Sequence, residues 1–361
     1  TGILQAAAGS SITVTDLADG DGFQTISTSR IIRFTTYGTP AGAELRVDGI
    51  VVAPKLQDNL SAGAANRTVN MTANGGTLRL TSTGSGCYGF SNGTYGVTHT
   101  FAGGTIEVAG DWNIQGNHTV TATAGTVTLN GGSAQTVNHP SSSAAGLWNL
   151  TVNNSAADDA ASFVTLDGDL TVKNTLTITD GRFKATRAVA PVALTLSGAV
   201  AHSIASLGVL DLEPQGPYGV TLTLAHGASF SVDGRFEAVR ANDGVTGSTV
   251  VQVAAAGSTG WNMTVSSTGT LDLRNFSLTQ IGATGIVIQN GGTVVRWHDG
   301  NFTKEDGVSS GPCIDISAVA AVNRTKIPYT GNDVSFGVLP AGTTHVKSGL
   351  ASPIVTFLGA A

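Results

Sequence analysis

The sequence predicts an all-β fold built as a parallel β-helix, or solenoid, and three observations predict it. Short runs rich in Val, Leu, Ile and Thr alternate apolar with polar residues, the period of a half-buried strand. Asn, Asp and Gly break these runs, and no helical period survives across them. Segments also echo one another along the chain, as stacked repeats do. The clearest stretch runs from Trp148 to Thr186 and holds four strand-like runs in succession: 149–152, 163–166, 170–172 and 176–178. Strands this short are unstable alone, so the stretch needs neighbours of its own kind to stack on.

Composition agrees. Gly accounts for 48 of 361 residues and charged residues for only 12%. Ser and Thr together make up about a fifth of the chain. Low charge with abundant Thr, Gly, Val and Leu suits strands and turns, not helices. A hydrophobic share of 41% and a net charge of −6 support a core and exclude a disordered chain. No Lys/Arg cluster marks a phosphate-binding face, so nucleic acid is not an expected partner. The longest uncharged window, Ala188 to Leu210, alternates like strands and contains Pro191, so no membrane span is expected. The chain starts at Thr1 without Met or apolar leader, as a secreted chain does after signal removal and as a truncated one does equally.

Three segments follow in order. Residues 1–74 carry longer strand-like runs (11–15, 25–28, 30–35, 44–47 and 50–53) joined by polar turns such as Asp48-Gly49. This texture suits an N-terminal β cap or small β-sandwich, which a solenoid needs to cover its first apolar coil. From Gly75 to residue 303 Gly-Gly pairs punctuate the strands, at Gly75-Gly76, Gly103-Gly104, Gly131-Gly132 and Gly291-Gly292. Residues 304–361 lose the pattern and gather Pro312, Pro328, Pro340 and Pro353, reading as a C-terminal β cap or assembly segment.

The echoes set the repeat. Trp148-Asn149-Leu150-Thr151-Val152 returns as Trp261-Asn262-Met263-Thr264-Val265, and Gly110-Asp111-Trp112-Asn113-Ile114 as Gly168-Asp169-Leu170-Thr171-Val172. Asp180-Gly181-Arg182-Phe183 returns as Asp233-Gly234-Arg235-Phe236. The offsets of 113, 58 and 53 residues lie near multiples of about 19, which predicts coils of that length with variable corners.

Runs such as Thr126–Val137, Trp148–Asn154 and Leu166–Gly181 make the chain resemble bacterial extracellular β-helix repeat proteins, the filamentous-haemagglutinin-like adhesins and autotransporter passengers. The resemblance weakens towards Thr303, leaves the segment 1–74 aside, and rests on motifs that encode coils and no site. It implies a right-handed parallel β-helix displayed outside the cell.

Candidate chemistry is sparse. Eleven N-x-S/T sequons (Asn59, Asn66, Asn70, Asn92, Asn117, Asn149, Asn153, Asn262, Asn275, Asn301 and Asn323) exceed chance and make the chain a candidate glycoprotein. Asn at coil corners beside Thr-rich strands would produce the same triplets without sugar. Asp16, Asp19 and Asp21 resemble half a calcium loop but lack the twelfth-position acid, so a solvated turn is the simpler reading. Asp158, Asp159, Asp167 and Asp169 form the densest acidic group; stacked on one face they would suit polysaccharide cleavage, but Asp-Gly-Asp is more simply a corner. His298-Asp299 beside Trp297 is half an acid/base pair with no nucleophile motif. Trp112, Trp148, Trp261 and Trp297 form either a sugar-stacking stripe or interior packing. The seven His lack ligand spacing, so no metal or other cofactor is expected. Cys87 and Cys313 read as free buried thiols.

Terminal strands complete the reading. Ile12 and Val14 near the start, and Ile354, Val355, Phe357 and Leu358 near the end, are candidate assembly strands, because a free strand edge pairs with another chain. The expected function is a non-enzymatic extracellular structural or adhesive surface protein that polymerises with copies of itself into a filament or sheath. Surface glycans are a further expected partner. The alternative is a carbohydrate-active β-helix, a lyase or glycosidase, or a carbohydrate-binding module.

Overall fold

The computed structural model describes residues 3–6, 11–13, 23–26, 31–35, 44–59, 67–90, 96–140, 145–155, 163–239, 248–253, 259–304, 311–318, 334–336 and 346–347. The fold is all-β, a β-solenoid of parallel strands, and these residues include no α-helix. The chain divides into two compact units, Thr1–Lys173 and Asn174–Ala361.

In the first unit the coils lay their strands on three faces. The first face is a 5-stranded sheet of Ile3–Ala6, Glu44–Val47, Arg67–Met71, Val97–Phe101 and Thr119–Ala122, parallel throughout. The second stacks Ser11–Thr13, Ile50–Ala53, Thr77–Leu80, Thr105–Val108, Thr126–Leu129 and Asn149–Asn153. The third stacks Ile31–Thr35, Leu56–Asn59, Tyr88–Phe90, Trp112–Ile114, Gln135–Asn138 and Phe163–Leu166. Among the described residues of this unit, Phe23–Ile26 pairs antiparallel with Ile31–Thr35.

The alternation seen in the sequence decides which side chains point inward. In Thr126–Leu129, Val127 and Leu129 are buried while the two Thr are half-buried. Because the pairing is parallel and in register, inward residues stack in columns, as in Val51, Leu78, Ile106, Val127 and Leu150. On the third face Tyr88 stacks on Trp112 with ring centroids 4.2 Å apart and planes 6° from parallel.

The second unit is built likewise. Val192–Leu196, Val220–Leu224 and Thr249–Val253 stack in parallel and continue onto Phe276–Leu278, Gly300–Phe302 and Val334–Phe336. Its inner columns include Leu194, Leu222, Val251, Leu278 and Phe302, and beside them Phe183, Leu210, Phe236 and Leu271. Some strands turn corners without a loop, notably Thr270–Ile288. Asn275 (φ 54°) and Gln280 (φ 57°) provide its left-handed bends. Asn tolerates that region better than most residues.

Two expectations need correction. The coil is longer and less even than the echoes suggest: register partners advance from Leu45 to Val69 to His99 to Val120, unequal steps that all exceed the expected length. The Asp180/Asp233 echo is a true repeat, but Arg182 pairs with Val209 and Val209 with Arg235, so the echo spans two coils. The Gly110/Gly168 echo is not one, because Trp112–Ile114 belongs to the third face whereas Val172 bridges Leu147 at the next corner onward. Asp48-Gly49 is a turn, as expected, and it lies at the coil corner between Glu44–Val47 and Ile50–Ala53.

The parallel ladders also continue across both sequence boundaries. Ile50–Ala53 pairs with Thr77–Leu80 across residue 74, and Ile286-Val287 pairs with Ile314–Asp315 across residue 303. What changes near Gly75 is the composition of the corners. Gly104 shows why glycine is needed there: φ is +69°, and an added Cβ would lie 2.2 Å from the Gly76 carbonyl oxygen one coil earlier. Gly104→Ala should therefore cost about 1–3 kcal/mol in urea unfolding. Gly132→Ala, where a Cβ meets nothing within 4 Å, should leave the midpoint nearly unchanged.

Candidate functional site

Among the described residues, charged side chains gather in the second unit on strands Leu176–Ala185, Ala201–Leu212, Arg235–Ala238 and Thr270–Ile288. Here the register pairs Lys184 with Asp211, Asp211 with Glu237, and Glu237 with Asp272. Each carboxylate sits between two buried residues of its strand (Leu210 and Leu212, Phe236 and Ala238, Leu271 and Leu273), so all three belong to one outer column. Successive coils lie about 4.8 Å apart, so the three carboxylates crowd together. They are also covered, with exposures of 5%, 6% and 3%.

Cations hold the column together. Arg182 Nη1 donates to Asp211 Oδ2 at 2.7 Å and to Glu237 Oε2 at 2.6 Å, spanning two coils. Arg235 pairs with the other oxygen of Glu237, and Lys184 with Glu213. Burial pushes the Asp211 carboxyl up to about 6, against the pull of Arg182, and the nearby Glu237 and Glu213 charges add to the rise. Burial works against the Arg182 cation, yet its two carboxylate partners hold its pKa above the ordinary value. A carboxyl poised near 6 is what a general acid needs, but here its oxygen is engaged by a guanidinium.

The candidates read from the sequence fall elsewhere. Asp167 and Asp169 are exposed at the corner between Phe163–Leu166 and Leu170–Val172, as the turn reading has it. Asp16, Asp19, Asp21, Asp158 and Asp159 lie outside the described residues, as do the side chains of His298 and Asp299. The tryptophans do not form an outer stripe: Trp112, Trp261 and Trp297 are at most 4% exposed. Inward packing claims them because each falls on a buried position of its strand. Trp148 alone is half-buried, lining a recess with Phe101, Ile106 and Val127. Cys87 and Cys313 are both free and buried, and burial pushes the Cys87 thiol up.

Among the sequons, Asn117 and Asn153 are exposed, while Asn70, Asn149, Asn262, Asn275 and Asn301 are half-buried. Asn70 Nδ2 donates to Glu44 Oε1 at 2.6 Å, and Asn149 Nδ2 to the Gly125 carbonyl at 3.0 Å. The backbone of Asn59 lies in Leu56–Asn59; Asn66, Asn92 and Asn323 lie outside the described residues. Ile12 lies in Ser11–Thr13, paired with Val51, whereas Val14, Ile354, Val355, Phe357 and Leu358 lie outside.

Sequence reasoning missed the carboxylate column, and the signal was there. Phe183-Lys184-Ala185, Leu210-Asp211-Leu212, Phe236-Glu237-Ala238 and Leu271-Asp272-Leu273 all place one charge between two inward residues. It also missed the interior histidines, whose spacing in the sequence carries no ligand motif. His99, His118, His139 and His202 are all buried. The described residues hold no group of three or more His, Cys, Asp or Glu able to bind a metal ion. They also contain no helix long and apolar enough to cross a membrane. No family model, curated protein or solved structure matches the chain.

Removing the central cation tests the column. Arg182→Met leaves Asp211 and Glu237 buried side by side, so stability at neutral pH should fall by about 3 kcal/mol. The Asp211 carboxyl should titrate above its present value of about 6. Urea unfolding and NMR titration of the carboxyl carbon measure the two effects.

Proposed function

We propose that this protein is a non-enzymatic extracellular solenoid of structural or adhesive function that assembles end to end with copies of itself. The observation that carries the reading is the open ladder. Among the described residues Ile3–Ala6 and Ser11–Thr13 each have a strand on one side only, as do Val334–Phe336 and Val346–Lys347 in the second unit. A parallel edge presents unpaired N–H and C=O groups, and a second copy stacked head to tail satisfies them. Outer surfaces support the same reading. On the first face Thr68, Thr98 and Thr119 extend the rank that holds Glu44, and Asn70, Thr100 and Thr121 the rank that holds Arg46, so short polar side chains dominate the outer surface beyond one charged coil. The resemblance to extracellular β-helix surface proteins points the same way.

Electron microscopy of the purified chain tests this reading directly. Filaments are expected, and deletion of residues 353–361 should abolish or shorten them; monodisperse particles that cleave a polyuronide would overturn the proposal. The second reading, a polysaccharide-cleaving enzyme, is favoured by one observation, the Asp211 carboxyl raised to about 6 within a carboxylate column. Loss of cleavage in Asp211→Asn would establish it.

The glycoprotein reading makes a finer prediction. Expressed in a host that glycosylates sequons, the chain should carry sugar at Asn117 and Asn153, which are exposed. It should carry little at Asn70 and Asn149, whose amide nitrogens are hydrogen-bonded within the fold. Peptide mass spectrometry reads the occupancy of each site.

A further inference from the structure

Interior histidines recur in one arrangement. His118 Nδ1 accepts the backbone N–H of Val97 at 2.9 Å, and Val97 belongs to the preceding coil. In the second unit His202 Nδ1 accepts the backbone N–H of Leu176 at 3.2 Å, again from the coil before. His139 Nδ1 accepts the indole N–H of Trp112 at 3.1 Å, while its Nε2 stands 2.6 Å from the Ala145 carbonyl. Every donor here is an N–H with no lone pair to offer, so each Nδ1 must be bare. The rings are therefore neutral and carry their proton on Nε2.

A second proton has one place to go on such a ring, the Nδ1 already in use. Taking it up breaks the bond to the preceding coil and sets two N–H groups facing each other in a dry interior. We propose that His139 and His202 are acid-releasable ties between coils, and that mild acid opens the solenoid at these positions. Opening one coil weakens its neighbours, because stability in a stacked repeat is carried by nearest-neighbour contacts.

The surroundings decide which rings oppose the second proton. Around His118 stand Asp58, whose Oδ2 lies 3.1 Å from Nε2, the His99 ring at 5.8 Å, and buried Arg67 across the ladder from Val97. The carboxylate beside its Nε2 sets the surroundings of His118 apart from those of His139 and His202. His139 faces the Ala145 carbonyl, which favours the cation, and the Lys173 ammonium, which disfavours it. His99 is held neutral by burial and by His118 and His139, and its Nδ1 pairs with the Tyr88 hydroxyl at 2.7 Å. His202 packs against the Phe230 ring at 5.3 Å, with the Gly198 backbone as the group favouring its cation. Among the described residues no carboxylate contributes at His139 or His202, and burial lowers both to about 4 from an ordinary 6.5.

The sign follows. Both groups are depressed in the fold, so their stabilisation is complete above pH 6.5 and is lost as pH falls towards 4, where the unfolded chain takes protons first. Asp211, raised to about 6, acts with the opposite sign over the same window, so the His contribution must be read as a difference between variants. Asn places its Oδ1 where Nδ1 stands, keeping the acceptor without a titrating group. Urea unfolding at about pH 7 and about pH 4.5 is then compared for the native chain, His139→Asn and His202→Asn. Acidification should raise the unfolding constant of the native chain by on the order of tens of fold more than that of each variant. An equal rise in native chain and variants would overturn the proposal. Should a variant fail to fold, NMR titration of the native imidazoles decides: values near 4 support the ties, and values of 6.5 or above for both refute them.

Discussion

The structure depends on one interaction, the parallel backbone ladder between successive coils. A parallel ladder places each residue over its register partner about 4.8 Å away, so a choice made on one coil constrains the next. Inside, this yields columns of like side chains, as in Leu194, Leu222, Val251, Leu278 and Phe302. A slip of one residue would turn every inward Leu to the outside, so the apolar columns fix the register that the ladder alone would leave free. Outside, the same stacking brings like charges together. Asp211, Glu237 and Asp272 meet because the ladder brings them there, and Arg182 and Arg235 are what make that tolerable.

Where the chain turns a corner, the ladder leaves backbone groups without a regular partner, and buried polar side chains take up that role. Gln135, 1% exposed, accepts the Gly131 N–H at Oε1 and donates from Nε2 to the Val108 carbonyl. Fully buried Asn154 donates to the Ser133 carbonyl and to Gln135 Oε1. Thr249 donates its hydroxyl to the Leu212 carbonyl. The histidines serve the same purpose in apolar columns: His202 occupies a slot between Leu176 and Phe230. Polar residues in this interior substitute for backbone, which explains why they sit among Leu and Val without forming a site.

How much was legible in the sequence follows from which features are local. A strand such as Phe163–Leu166 or Leu170–Val172 is written in a few consecutive residues, and its bounds were readable as they stand. Coil length is not local. The loops between strands vary, so within a single ladder the step from Val69 to His99 is longer than the next, from His99 to Val120, and no fixed period links the echoes. The Asp180/Asp233 echo survived because it spans two coils of similar length, whereas the Gly110/Gly168 echo joined different faces. The carboxylate column was hidden for the same reason. Asp211, Glu237 and Asp272 are neighbours only once register is known, while Asp167 and Asp169 attracted notice by adjacency and turned out to be a corner.

In the column, burial and pairing act on the same carboxylates. Asp211 has the raised pKa of a proton donor, and burial, the largest cause, is also what withholds it from a substrate. To act on a sugar it would have to lose Arg182, and that step leaves two carboxylates a coil apart in a covered site. The cation is thus bound into the cohesion of three coils, Arg182 bridging from one strand to the two that follow.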